Sequence, residues 1–380
     1  MTGLSKRLRP GSPRLPVRSF FAAALVAGGI SSAAVPTPAP AAVLATMEKV
    51  ADWQLAHPSR HDPHDWTQGA GYTGMMALAR LSPSPRFYGA MMKMGNANQW
   101  KPGPRPYLAD DICVVQTYAE LYLLRRDPAM IAPARAQFDQ VIAHPPDNDL
   151  SFDPQKDPDR LAKWSWCDSL FMGPPAWIRL YAATGDRAYL DYMVRHWWQT
   201  SDYLYDPAEH LFFRDSGYFA KREANGRKVF WSRGNGWVMA GLVRVLEFLP
   251  KDHPARARFV RQFQEMADRI LACQQADGLW RASLLDPDSF PLQETSGSGF
   301  YCYALAWGVN EGLLDRTKFA PKVWQAWNAL ASCVQADGKL THVQPIGADP
   351  RHFDENSTEV YGVGALLLAG SEIIRLAPAP

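Results

Sequence analysis

The chain has 380 residues, 47% hydrophobic and 12% aromatic, with a formal charge of +2 at pH 7. Five basic residues and no acidic ones fall within positions 1–41, so the remainder carries −3 and offers no basic stripe for nucleic acid or an anionic membrane. Five cysteines, at 113, 167, 273, 302 and 333, are too widely spaced for a CxxC pair or a zinc site, which leaves buried thiols with room for one disulfide.

Lys6, Arg7, Arg9, Arg14 and Arg18 precede an apolar run over residues 20–30, then small residues and Ala39-Pro-Ala41. That order predicts an export signal with a Pro/Ala spacer over 1–41, and a periplasmic or secreted protein. The run is too short to span a bilayer, and no later stretch is a membrane candidate.

From residue 42 the apolar spacing predicts helices over 42–57, 70–81, 84–98, 109–126, 129–143, 174–184, 187–200, 235–249, 255–275, 297–313, 317–335 and 357–375. Connections alternate between short ones, such as 125–128 and 184–186, and long ones rich in Asp, Gly, Pro and Trp. Cys273-Gln-Gln-Ala-Asp-Gly-Leu-Trp280 recurs as Cys333-Val-Gln-Ala-Asp-Gly-Lys-Leu340, a repeat expected of stacked helical hairpins. The expectation is an all-α single domain over 42–380, six hairpins closed into a ring with a funnel at one end. Loops entering alternate helices then share one face, and the helix N-termini there favour an anionic ligand.

The unusual residues fall in those loops. Trp164-Ser-Trp-Cys-Asp-Ser-Leu-Phe-Met-Gly-Pro-Pro175 sets Asp168 between a pair of indoles and a helix-opening proline pair. An aromatic wall removes water from a carboxyl and raises its pKa, as a general acid requires; the plainer reading is a helix cap. Asp110 and Asp111 open another helix. One can cap it while the other faces the mouth, and Asp111 is favoured for the mouth.

Phe230-Trp-Ser-Arg-Gly-Asn-Gly-Trp237 offers Arg233 for a carboxylate and Trp231 and Trp237 for stacking on a sugar; a structural arginine is the alternative. No strand precedes Gly234-Asn-Gly236, so it is not a dinucleotide fingerprint, and no cofactor is expected. His61-Asp-Pro-His-Asp65 and the Asp-rich stretch 147–159 lack metal-ligand spacing and read as solvated loops. Leu211 to Phe219 is the one β-like excursion, from which Arg214 or Asp215 leans into the mouth or forms a surface ion pair.

Together, Trp-x-Asp-x-Leu-Phe-Met-Gly-Pro-Pro, Trp-Ser-Arg-Gly-Asn-Gly-Trp, Glu294-Thr-Ser-Gly-Ser298 and the Asp-Asp before Gln116-Thr-Tyr118 resemble glycoside hydrolase family 105, the unsaturated rhamnogalacturonyl hydrolases, with the family 88 unsaturated glucuronyl hydrolases as relatives. The resemblance covers roughly residues 45–375. It implies an (α/α)6 barrel and an exo-acting enzyme that removes a 4,5-unsaturated uronic acid from the non-reducing end of lyase-generated oligosaccharides, pectin or rhamnogalacturonan type first. By motif position it implies Asp168 as general acid/base, Asp111 as the second carboxylate, and a substrate held by Arg233, Arg214, Trp164, Trp231, Trp237 and Ser296. Arg214-Asp215 stands where other members carry a His, which leaves the aglycone open among pectin, ulvan and arabinogalactan ends. A glycosidase on saturated sugars and a non-catalytic carbohydrate-binding protein are the competing readings. Monomer and homodimer are both compatible with the sequence.

Overall fold

The computed structural model describes residues 35–146, 149–152 and 163–376. Its helices are α1 (Pro40–Ala56), α2 (Trp66–Ala79), α3 (Arg86–Ala97), α4 (Ala109–Ile112), α5 (Val115–Arg125), α6 (Ala132–Ala143) and α7 (Ser169–Met172). Then come α8 (Pro174–Thr184), α9 (Arg187–Leu204), α10 (Ser232–Leu246), α11 (Arg256–Ala272), α12 (Thr295–Asn310), α13 (Arg316–Ser332) and α14 (Val360–Leu376). The one-turn helices α4 and α7 precede α5 and α8; counted with them, they leave the twelve helices expected. Of the leader and spacer expected over 1–41, residues 1–34 lie outside the described residues, as does most of the Asp-rich stretch.

Burial separates two rings. Every residue of α10 is buried, whereas α11 buries only Phe259, Gln262, Phe263, Met266, Ala267 and Ile270, a single helical stripe. Helices α2, α5, α8, α10, α12 and α14 form the inner ring, each packed on the next, and α14 closes it against α2. That closure is steric: a Cβ at Gly74 would lie 2.4 Å from the Gly364 carbonyl oxygen, so only glycine lets the two backbones meet. Six hairpins therefore close into a ring, with the other helices outside.

Caps fix where the chain turns. Asp65, Asp186 and Asp315 accept N–H groups of Thr67, Ala188 and Lys318 at the starts of α2, α9 and α13. Pro174 and Pro175 occupy the first turn of α8, as expected of a helix over 174–184. Both copies of the internal repeat make the same turn, with Gly278 and Gly338 at φ +94° and +101°. The β-like excursion reduces to Leu211–Phe212 paired antiparallel with Tyr205–Asp206. All five cysteines are free and buried, so the possible disulfide is not formed.

At the end carrying the short connections, Glu120 is enclosed by Arg179 at 2.7 Å, Arg244 at 2.8 Å and Arg80 at 3.0 Å. Burial alone raises a carboxyl pKa; here the three guanidinium groups outweigh it and hold Glu120 down to about 2. These ion pairs join α5, α8 and α10, and removing one partner of so buried a pair costs about 3–5 kcal/mol. Long loops occupy the opposite end.

Candidate active site

Six loops enter the inner helices at that end, at residues 57–65, 98–108, 144–168, 205–231, 273–294 and 333–359. Asp168 sits before α7 with helical φ and ψ, yet its side chain makes no capping bond. The plain capping role is thereby removed. Trp166, Cys167 and Leu170 around it are buried, and Asp168 itself is 9% exposed. Burial raises its pKa, opposed by the charge of Arg214, a hydrogen bond from the Cys167 thiol and the charge of Arg233.

Asp110 and Asp111, at the start of α4, stand in different surroundings. Neither caps, since the N-cap of α4 is Leu108. Asp111 turns to its own loop, where the Arg105 side chain donates at 2.7 and 3.1 Å and its N–H at 2.8 Å. Asp110 is the residue that faces Asp168. Burial and then the charges of Asp168, Asp65 and Asp111 push it up to about 7, with Arg214 opposing. The charge of Asp168 thus adds to burial in keeping Asp110 protonated well above the ordinary carboxylate range. Residue order cannot decide between adjacent aspartates; the deciding fact is Arg105, six residues upstream.

Arg214 supplies the positive charge. The Cys167 N–H donates to its carbonyl at 2.8 Å, which lays residue 214 alongside Asp168. Its guanidinium pairs with Asp215 at 2.6 Å and lies 4.9 Å from the Phe152 ring, while its Nε has no hydrogen-bond partner among the described residues. This arginine, once balanced between mouth and surface, belongs to the mouth.

The polar groups of the Trp-Ser-Arg-Gly-Asn-Gly-Trp segment turn largely to neighbouring loops. Arg233 is fully buried and donates to the carbonyls of Gln344 at 2.5 Å and Pro345 at 2.9 Å, while its Nε has no hydrogen-bond partner among the described residues. Trp231 Nε1 donates to Gln344 Oε1 at 2.8 Å, and Asn235 clamps Phe212 through both its N–H and its carbonyl. The motif thus fixes two site loops to α10, and Arg233 reaches Asp168 only through its charge.

Ser296 is likewise structural, since its hydroxyl donates to Glu294 at 2.5 Å and its N–H at 2.9 Å in the cap of α12. Trp237 is fully buried against Trp66, Phe171, Phe300 and Tyr361. Trp164 is 6% exposed and held over Gly173, where a Cβ would come within 2.7 Å of its ring. Buried rings present no open face to a sugar. Trp66, partly exposed and stacked on Tyr361 at 5.3 Å, does reach the mouth. Its loop, read as solvated, instead brings in Asp65 and ties itself to the entry of α14 through His61 and Glu359 at 3.5 Å. The sequence signal for it was an aspartate cap followed at once by Trp66.

An (α/α)6 ring with two carboxyls held above their ordinary pKa and the charge of one arginine acting on both, all at the loop end, is a setting that suits glycoside cleavage. The sequence profile of Glycosyl Hydrolase Family 88 matches residues 42–377, and the chain belongs to that family. Relatives in Formosa agariphila and Alteromonas sp. are both named unsaturated 3S-rhamnoglycuronyl hydrolase. The first is 40% identical, covering 87% of this chain and 90% of its own, and the second 34%, covering 86% and 84%. A family 88 glycosyl hydrolase from Bacteroides vulgatus superposes with a TM-score of 0.80 at 32% identity, over 90% of this chain and all of its own.

Proposed function

We propose that this chain removes a 4,5-unsaturated uronic acid from the non-reducing end of oligosaccharides left by polysaccharide lyases. The observation that carries the reading is the Asp110–Asp168 pair beside Arg214, in a chain whose relatives are named for unsaturated glycuronyl hydrolysis. Asp168 gives its proton to C4 of the enol ether, and positive charge develops at C5 and the ring oxygen. A water that Asp168 then deprotonates adds to C5. The resulting hemiketal breaks its bond from C5 to the ring oxygen, leaving a ketone at C5 and a hemiacetal at C1 whose collapse to the aldehyde frees the aglycone alcohol. One carboxyl acts in turn as acid and base, and no covalent sugar intermediate is needed.

Arg214, 16% exposed beside Asp215, supplies the positive charge for the uronate carboxylate, and the charge of Asp168 helps to keep Asp110 protonated beside it. Trp66 offers the partly exposed aromatic edge beside the sugar. The catalytic domain spans residues 42–380, and the leader over 1–41 delivers it across the cytoplasmic membrane as a periplasmic or secreted protein. Among the described residues, no helix is long and apolar enough to cross a membrane.

The names of the two relatives favour a rhamnose-linked uronate over the broader pectin class. The test is a panel of lyase products from ulvan, rhamnogalacturonan and glycosaminoglycans, followed by the ultraviolet absorbance of the enol ether. Loss of absorbance fastest on rhamnose-linked ends, with sulfated and unsulfated forms compared, is the expected result. Release of saturated sugar with the absorbance intact would overturn the reading.

A further inference from the structure

The Asp168 carboxyl has an intimate neighbour that the chemistry above does not use. The Cys167 thiol, fully buried, donates to Asp168 Oδ2 at 3.3 Å. Burial pushes this thiol well above its ordinary pKa, followed by the charge of Asp168, so it stays a neutral donor at any working pH. Its backbone N–H is committed to the Arg214 carbonyl at 2.8 Å, which fixes the residue between the acid and the arginine.

Space for the sulfur is provided from a different element. A Cβ at Gly234, in the first turn of α10, would lie 3.0 Å from Cys167 Sγ and 3.0 Å from the Trp231 ring. The glycine beside Arg233 thus keeps open the seat in which the thiol points at Asp168. Two parts of the chain far apart in sequence converge on one sulfur–oxygen contact.

We propose that Cys167 is a positioning residue: its thiol, seated against Gly234, pins Asp168 Oδ2 and leaves Oδ1 to carry the proton to and from the substrate. A neutral, weak donor suits this task. It fixes the carboxyl rotamer without the strong stabilisation of the anion that a charged donor gives. The groups facing Asp168 are then Cys167 from its own loop, Asp110 from α4, Arg214 from the 205–231 loop and Arg233 from α10, with Asp215 adding its charge at the sulfur.

This inference rests on Asp168 as the acid, so its test includes Asp168→Asn as the control for that reading. In the full chain, Cys167→Ala removes the donor. The expected result is a fall in kcat of about tenfold with KM changed less than about threefold, and a basic limb of kcat/KM moved to higher pH, because a donor that favoured the anion is gone. Cys167→Ser restores a donor and is expected to recover most of kcat. Gly234→Ala, which forces the sulfur off its seat, is expected to reproduce the alanine phenotype with Cys167 still present.

Cys167→Ala with wild-type kcat and an unmoved pH limb overturns the proposal, as does a serine variant no better than alanine. Inactive Asp168→Asn beside an unaffected Cys167→Ala sinks only this inference, whereas an active Asp168→Asn sinks the reading of the site itself. Thermal melts of each variant separate these effects from loss of fold. A Gly234→Ala protein that folds and keeps the wild-type pH profile also counts against the seat.

Discussion

Replacing Asp168 by asparagine is expected to lower kcat about a thousandfold to ten-thousandfold on an unsaturated oligosaccharide while leaving the melting temperature within a few degrees of wild type. The size follows from the double duty of one group. General acid/base catalysis contributes about 10²–10⁴-fold, and here the same carboxyl both delivers the proton to C4 and takes one from water. The fold is expected to survive because Asp168 caps nothing and its one side-chain hydrogen bond described here is to a neutral thiol, which an amide can also accept. KM is expected to move little, since the amide keeps the shape of the group. Steady-state kinetics beside a thermal melt check both halves of the statement.

The second large effect separates two adjacent residues. Asp110→Asn is expected to cost about a hundredfold in kcat and to move the basic limb of kcat/KM to lower pH. The sign follows from the pair. Burial and the charge of Asp168 hold Asp110 up to about 7, and the repulsion is mutual, so an Asp110 that ionises as pH rises works against the anion of Asp168. With a neutral asparagine at 110, Asp168 gives up its proton against less repulsion, and the limb falls. Asp111→Asn is expected to leave kcat within about threefold. Its carboxylate serves Arg105, whose side chain is 68% exposed, so the loss is one of stability and at most about 1 kcal/mol. If the two variants traded phenotypes, the assignment of the second carboxylate would revert to Asp111.

The difference between these neighbours marks where sequence reading stops. Helix positions and their grouping into six hairpins were legible because burial on one face imposes a 3.6-residue spacing, and because short and long connections alternate. Asp168 was legible from its aromatic surroundings and from a motif. The direction of a side chain was not. Arg233, Trp231 and Ser296 stand in segments rich in binding chemistry, but most of their polar atoms are taken by Gln344, Pro345 and Glu294, partners about 110 residues away in the first two cases. Only tertiary contacts decide whether an arginine meets a ligand or a carbonyl.

Conversely, Asp65 and Trp66 looked like loop residues because the helix they start begins four residues before the periodic pattern becomes clear at residue 70. Cys167 gave no signal at all, since an isolated buried cysteine is the commonest kind. Its role depends on Gly234, whose missing side chain is visible only as space. The motif glycines and arginine thus hold loops and leave room, while the groups we propose to meet substrate are Asp168 and Arg214.

The central claim is that water attacks C5 of an enol ether after proton delivery to C4, with no direct hydrolysis at C1. It is tested most directly by running the wild-type reaction in deuterated, oxygen-18-labelled water and locating both labels in the released sugar by NMR and mass spectrometry. The account predicts deuterium at C4 and labelled oxygen at C5, with the enol-ether absorbance gone. Labelled oxygen at C1 in a sugar that still carries its double bond would contradict it.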